Sequence, residues 1–224
     1  ESGKIAQGAM CYAGDISDPA RSKYSLKYYL DLAKQLQAAG CHSIAIKDMA
    51  GLLKPAAAKA LVSSLKQEIA VPIHLHTHDT SGIAAASILA AVEAGIDGFD
   101  AAMDAMSGTV SQPCLGAIVQ ALRNGPYDTG LDPQAILKIS AYWEEVRGNY
   151  AAFESDLKSG TAEVYLHELP GGQFTNLREQ ARSLGLSNRW HEVAAAYRAA
   201  NDLLGDIIKV TPSSKVVGDM ALMM

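Results

Sequence analysis

The sequence predicts an α/β protein: part of a parallel (β/α)8, or TIM, barrel followed by a mainly α-helical subdomain. Three observations carry that expectation. Short apolar segments alternate with amphipathic ones through the first 125 residues, the signature of parallel βα units. The steps between successive strands run from about 35 to about 27 residues, a rhythm that barrels use. Residues capable of chemistry gather directly after the apolar segments, at the strand ends where a parallel barrel keeps its site.

The expected strands are residues 6–12, 43–47, 71–76 and 98–102, with helices over 26–39, 55–68 and 82–93 between them. The first helix places Leu26, Tyr29, Leu30, Ala33 and Leu36 at helical spacing. It ends in Ala39-Gly40 and the third in Ala94-Gly95, where glycine can take the left-handed cap position. Pro55 suits a first helical turn. A further helix is expected over 112–122, after which the pattern changes at Asn124-Gly125-Pro126-Tyr127-Asp128. Only four βα units fit, whereas a complete barrel needs eight. Residues 1–125 therefore read as half a barrel, and 126–224 as a helical unit with helices over 135–150, 177–184 and 190–205. The segment 125–133 marks the boundary.

Nearly half of the 224 residues are apolar, enough for a sizeable core. A net charge of −5 argues against a general nucleic-acid binder. Cys11, Cys41 and Cys114 show no paired spacing, which suits a reducing compartment. No apolar run is long enough for a membrane span, and the start shows no basic region followed by an apolar stretch. Both ends, Glu1-Ser2-Gly3-Lys4 and Met220-Ala221-Leu222-Met223-Met224, read as cut from a longer chain.

The run His74-Leu75-His76-Thr77-His78-Asp79-Thr80 closes the third strand. Imidazoles at i, i+2 and i+4 share one face of an extended chain, because side chains alternate at period two. Imidazole is the commonest metal ligand, so a metal is expected here; a polar strand end without metal is the plainer alternative. Asp15, Lys47 and the segment Asp100 to Asp104 follow the other three strands. Asp48 and Asp79 directly follow candidate ligands and are expected to orient them, or equally to serve as turn or N-cap aspartates. Lys47 is harder to place. An ammonium group has no lone pair and cannot ligate as such, which leaves phosphate binding, Schiff-base chemistry or an ordinary ion pair open. Val210-Thr211-Pro212, read alone, is a helix-ending turn.

Ile46-Lys47-Asp48-Met49-Ala50-Gly51, followed by the histidine run, closely resembles the carboxyltransferase barrel of biotin-dependent enzymes. Three later segments narrow the resemblance to the pyruvate carboxylase family, and it covers essentially the whole chain. They are Phe153-Glu154-Ser155-Asp156-Leu157-Lys158, Glu168-Leu169-Pro170-Gly171-Gly172-Gln173-Phe174-Thr175-Asn176-Leu177 and Val210-Thr211-Pro212-Ser213-Ser214-Lys215-Val216-Val217-Gly218-Asp219-Met220. The resemblance implies that this chain supplies about strands 5–8 of the barrel, with the helical extension lining an active-site funnel. It further implies that Lys47 carries a carbamate and ligates Zn²⁺ or Mn²⁺ together with His76 and His78. His74 is then an inward-facing strand residue. Thr211 matches the catalytic threonine, relaying a proton between pyruvate and biotin, and Ser214 matches a residue of the biotin pocket.

The activity implied is transfer of CO2 from carboxybiotin to pyruvate, giving oxaloacetate. The alternatives are a decarboxylase or transcarboxylase of the oxaloacetate type, or a metal-dependent lyase or aldolase on the same barrel. Biotin would arrive on a separate carrier domain and ATP would be consumed by another domain. The parent would be a homo-oligomer, a tetramer, in the cytoplasm or the mitochondrial matrix. The family's opening aspartate, arginine and glutamine have no counterpart in residues 1–12. The missing N-terminal half of the barrel is therefore expected elsewhere in the parent. Alone, the chain is expected to be inactive and to associate through open sheet edges.

Overall fold

The computed structural model describes residues 3–224; Glu1 and Ser2, the first residues of the segment Glu1-Ser2-Gly3-Lys4, lie outside the described residues. Four parallel strands, β1 (Gln7–Cys11), β2 (Ser43–Asp48), β3 (Ile73–Thr77) and β4 (Gly98–Phe99), form one sheet in the order 1-2-3-4. Sequential order in a parallel sheet is what a barrel segment requires, since right-handed crossovers then place every helix on one face.

Helices α1 (Leu26–Ala38), α2 (Pro55–Glu68) and α3 (Ala84–Glu93) cover that face. Ser25 caps α1 by accepting the Tyr28 N–H, and Pro55 occupies the first turn of α2. Gly40 and Gly95 take left-handed φ values of 90° and 91°, which a side chain would resist. Ile44 and Ile46 of β2 and Ile73 and Leu75 of β3 are buried against Leu61, Val62 and Leu65 of α2 and Ile88 of α3. Each such aliphatic side chain stabilises by about 1.5–3 kcal/mol.

The opposite face carries the other alternate residues in level rows. Ala9, Ala45, His74 and Gly98 form one row, and Cys11, Lys47 and His76 the next. Strand pleating alone therefore brings Lys47 beside His76.

Several boundaries differ from the sequence reading. The β4 ladder stops at Phe99 instead of 102, because the chain turns out to pair Ala102 with Cys114. That pairing keeps Cys114 extended, so α4 spans Leu115–Leu122 and starts three residues late. Helix α3 begins after Gly82, and Asp79 Oδ1 accepts the Ala84 N–H at its start. Helix α5 (Pro133–Gly148) begins earlier than expected, since Asp132 caps it and Pro133 opens it. It leans on α4 and on the tight turn Asp104–Met106, whose Ala105 N–H reaches Ser140 Oγ at 2.9 Å.

The C-terminal region contains α6 (Val164–His167), α7 (Gly171–Ser183), α8 (Trp190–Leu203) and α9 (Ser213–Met223). The sequence reading started α7 six residues late and missed α6 and α9. Residues 210–212 open a helix instead of ending one. Leu169, Phe174, Leu177, Trp190, Val193, Tyr197 and Val217 form a second core, distinct from that of the sheet. The two regions are tied by Arg21, which reaches Glu168 at 2.6 Å. Glu168 also meets Arg198 at 2.9 Å and Lys209 at 3.0 Å. Burial alone would raise the Glu168 carboxyl, but Lys209, Arg21 and Arg198 together hold it below the usual range.

His167 provides a test of this second core. Its ring is 2% exposed, its Nδ1 accepts the Leu169 N–H at 3.0 Å, and Nε2 is buried without a partner. Burial depresses its pKa to about 4. A histidine that ionises later in the native state than in the unfolded chain, near 6.5, makes stability rise with pH between those values. The native state should therefore lose about 2–3 kcal/mol from this group between pH 7 and pH 4.5. Thermal melts at the two pH values check this: the acid-induced drop should shrink in His167→Gln, and an unchanged drop would discount the assignment.

Candidate metal centre

His76 and His78 stand at the carboxyl end of β3, with Lys47 at the same level on β2. Each imidazole is fixed by its other nitrogen. His76 Nδ1 lies 2.7 Å from Asp100 Oδ2, and His78 Nδ1 lies 2.6 Å from the Val110 carbonyl. A carbonyl oxygen can only accept, so His78 carries its proton on Nδ1. The Asp100 carboxylate selects the same tautomer for His76. Burial, followed by the nearby His76 and Lys47, pushes His78 toward the neutral form, against the opposing pull of the Val110 carbonyl.

The two Nε2 atoms that remain are 3.4 Å apart. With both protons on Nδ1, each presents a lone pair and neither can donate to the other. A cation held between them would relieve the repulsion of two facing lone pairs. The edge of a tetrahedron with bonds of about 2.1 Å measures about 3.4 Å, so the spacing fits two nitrogens on one Zn²⁺-like centre. Among the described residues no group of three or more His, Cys, Asp or Glu side chains is placed to hold a metal. Cys11 and Lys47 share the row with His76, and a bare Lys47 ammonium has no lone pair to give.

His74 is turned away from that point. Its Nε2 lies 2.7 Å from Asp100 Oδ1, and the Gly98 backbone leaves room for its ring. Asp100 thus holds His74 and His76 with its two oxygens; burial would raise its carboxyl, and the two rings hold it below its ordinary value.

The other sequence-derived candidates divide sharply. Asp48 and Asp79 orient neither histidine, which corrects that expectation. Asp48 is fully buried and accepts from the Leu52 and Leu53 N–H groups and from Thr77 Oγ1, tying the ends of β2 and β3. Asp79 starts α3. Asp15 is taken up by Lys54 at 2.6 Å, and Asp104 accepts the Gly116 N–H at the start of α4. Thr211 is exposed at the turn before α9, and Ser214 is buried in the first turn of that helix. Sequence reasoning placed Asp100 at a strand end without its role, although its spacing of two from Gly98 signals the histidine face. The Val110 carbonyl carries no side-chain signal at all.

The HMGL-like family model matches residues 11–142, and a conserved carboxylase domain matches residues 164–224. The chain is 53% identical over 224 residues to a pyruvate carboxylase of Bacillus subtilis, and 52% identical over 225 residues to the human mitochondrial pyruvate carboxylase. It covers 100% and 99% of itself in these matches, but only 20% and 19% of those proteins. The carboxyl transferase domain of Rhizobium etli pyruvate carboxylase, solved with pyruvate, superimposes with a TM-score of 0.97 at 68% identity. That match covers 99% of this chain and 37% of the other. The same domain solved with oxamate and biotin gives a TM-score of 0.98 at 68% identity, with the same coverage. Two matched segments in the order of the fold, over a shared backbone, leave one assignment: the chain belongs to the HMGL-like family and is homologous to part of the carboxyltransferase domain of pyruvate carboxylases.

Proposed function

We propose that this chain forms part of a carboxyltransferase site that moves CO2 from carboxybiotin to pyruvate, giving oxaloacetate. The observation that carries the reading is the pair of His76 and His78 lone pairs, 3.4 Å apart on the row shared with Lys47. A carbamate on Lys47 would turn a repelling cation into an oxygen donor and complete three protein ligands for Zn²⁺ or Mn²⁺. The bound metal would supply Lewis-acid polarisation of the substrate oxygen. Thr211 would take a proton from the pyruvate methyl group and pass its own hydroxyl proton to the biotin ring nitrogen vacated by CO2. The exposed hydroxyl is free to do so. Ser214, one turn further on, would border the biotin pocket.

Residues 1–125 act in this reading as the second half of the barrel, about strands 5–8, and 126–224 as the helical extension of the active-site funnel. Its partners in the parent are the first half of the barrel, a biotin carrier domain and an ATP-consuming domain, assembled as a homotetramer in the cytoplasm or mitochondrial matrix. No helix among the described residues is long and apolar enough to cross a membrane. The lyase or aldolase reading fits less well, because that chemistry has no use for Lys47 or for the Thr211 segment. The full-length protein supplied with pyruvate, ATP and bicarbonate should form oxaloacetate in a coupled malate dehydrogenase assay. Acetoacetate formation from an acyl-CoA, or oxaloacetate decarboxylation without any ATP-dependent carboxylation, would overturn this reading.

A further inference from the structure

We infer that Gly171 is the positioning residue through which the helical region fixes the metal site, and that its lack of a side chain is what the site needs. The inference rests on the metal reading proposed above. Gly171 opens α7, and its N–H donates to the Met49 carbonyl, two residues past Lys47, at 2.9 Å. A Cβ on Gly171 would lie 2.7 Å from His78 Nδ1 and 2.8 Å from the Val110 carbonyl oxygen. It would therefore sit against both ends of the hydrogen bond that sets the His78 tautomer. One residue of the helical region thus touches the chain beyond β2, β3 and β4 at once.

Backbone conformation does not explain the glycine, because Gly171 is not among the residues with positive φ. Helix formation does not explain it either, since alanine is better by about 1 kcal/mol in a helix. Its neighbour Gly172, in the same helical turn, has nothing within 4 Å of the corresponding Cβ position. Close approach is the reason that remains. A methyl group at 171 must displace the His78 ring or the Val110 carbonyl, and either movement breaks the Nδ1–H to carbonyl hydrogen bond that keeps the Nε2 lone pair facing His76.

The test uses the full-length protein with Gly171→Ala and Gly172→Ala as a matched pair. Gly171→Ala should bind added Mn²⁺ or Zn²⁺ 10–100-fold more weakly, the range found when a ligand loses its supporting contact. Gly172→Ala, whose Cβ meets nothing within 4 Å, should bind it as wild type does. Equal metal affinity in the two variants overturns the inference.

Wild type gives a second measurement that needs no variant. Coupled equilibria are reciprocal, so removing the metal should speed hydrogen exchange in a peptide containing the Gly171 N–H. Unchanged exchange overturns the inference even if Gly171→Ala does not fold. His76→Ala that keeps its metal would bring down the metal reading and this inference together. Metal loss in His76→Ala beside full retention in Gly171→Ala would overturn the inference alone.

Discussion

In the proposed carboxyltransferase, His76→Ala should strip most of the Zn²⁺ or Mn²⁺ from the full-length protein and abolish its carboxyl transfer. The side chain supplies one of the two imidazole nitrogens that face each other at the end of β3, and its loss leaves His78 Nε2 without a companion. Asp100→Asn should be milder. The carboxylate faces His76 Nδ1 at 2.7 Å, away from the Nε2 pair, and fixes the tautomer; losing such support costs about 10–100-fold in metal affinity. Lys47→Met should also release metal in that reading, since it removes the amine that would carry the carbamate donor. Elemental analysis of the purified variants, followed by titration with each metal, reads all three. Full retention in His76→Ala would place the ligands elsewhere.

Thr211 separates chemistry from packing. Its side chain is exposed, so replacing it removes no buried contact and should leave the melting temperature nearly unchanged. A proton relay needs the hydroxyl. Thr211→Ser should therefore keep measurable oxaloacetate formation, while Thr211→Val, close to isosteric, should lose about 10²–10⁴-fold, the usual contribution of a general acid–base step. Both variants should hold metal, and ATP-dependent carboxylation of biotin should survive in both, because that step belongs to another domain in the proposed parent. Near-normal oxaloacetate formation by Thr211→Val would reduce the residue to a turn former.

The legible part of this fold is the part written in local periodicity. The apolar run into His74-Leu75-His76 fixes both which face meets the helices and which face bears the imidazoles, so β3 and its histidines could be placed from spacing alone. Gly40, Gly95 and Pro55 punctuate α1, α3 and α2 by their own backbone preferences. Helices α6 and α9 were missed for a physical reason: one is four residues long, and the other opens on Pro212 with no side-chain cap. Asp48 and Asp79 were ambiguous because ligand orientation and turn capping use the same residue type at the same spacing. The Val110 carbonyl and the Gly171 approach depend on contacts between segments far apart in the chain. One is a backbone atom and the other a missing atom, and neither leaves a local pattern to read.

The ion cluster that joins the two regions has the shape of a star, with Glu168 at its centre and Arg21, Arg198 and Lys209 around it. A star tolerates change unequally. Losing Arg21 still leaves the carboxylate two cationic partners, and Arg198 has a second acid in Asp202 at 2.9 Å. Losing the centre leaves Arg198 with Asp202 and Arg21 with Asp206 at 3.3 Å, but Lys209, only 2% exposed, loses its carboxylate and cannot turn to water for compensation. Substitution at the rim should therefore cost less stability than substitution at position 168. Its left-handed backbone, with φ at 56°, narrows the choice further, since glycine, asparagine, aspartate and histidine accept that conformation more readily than other residues.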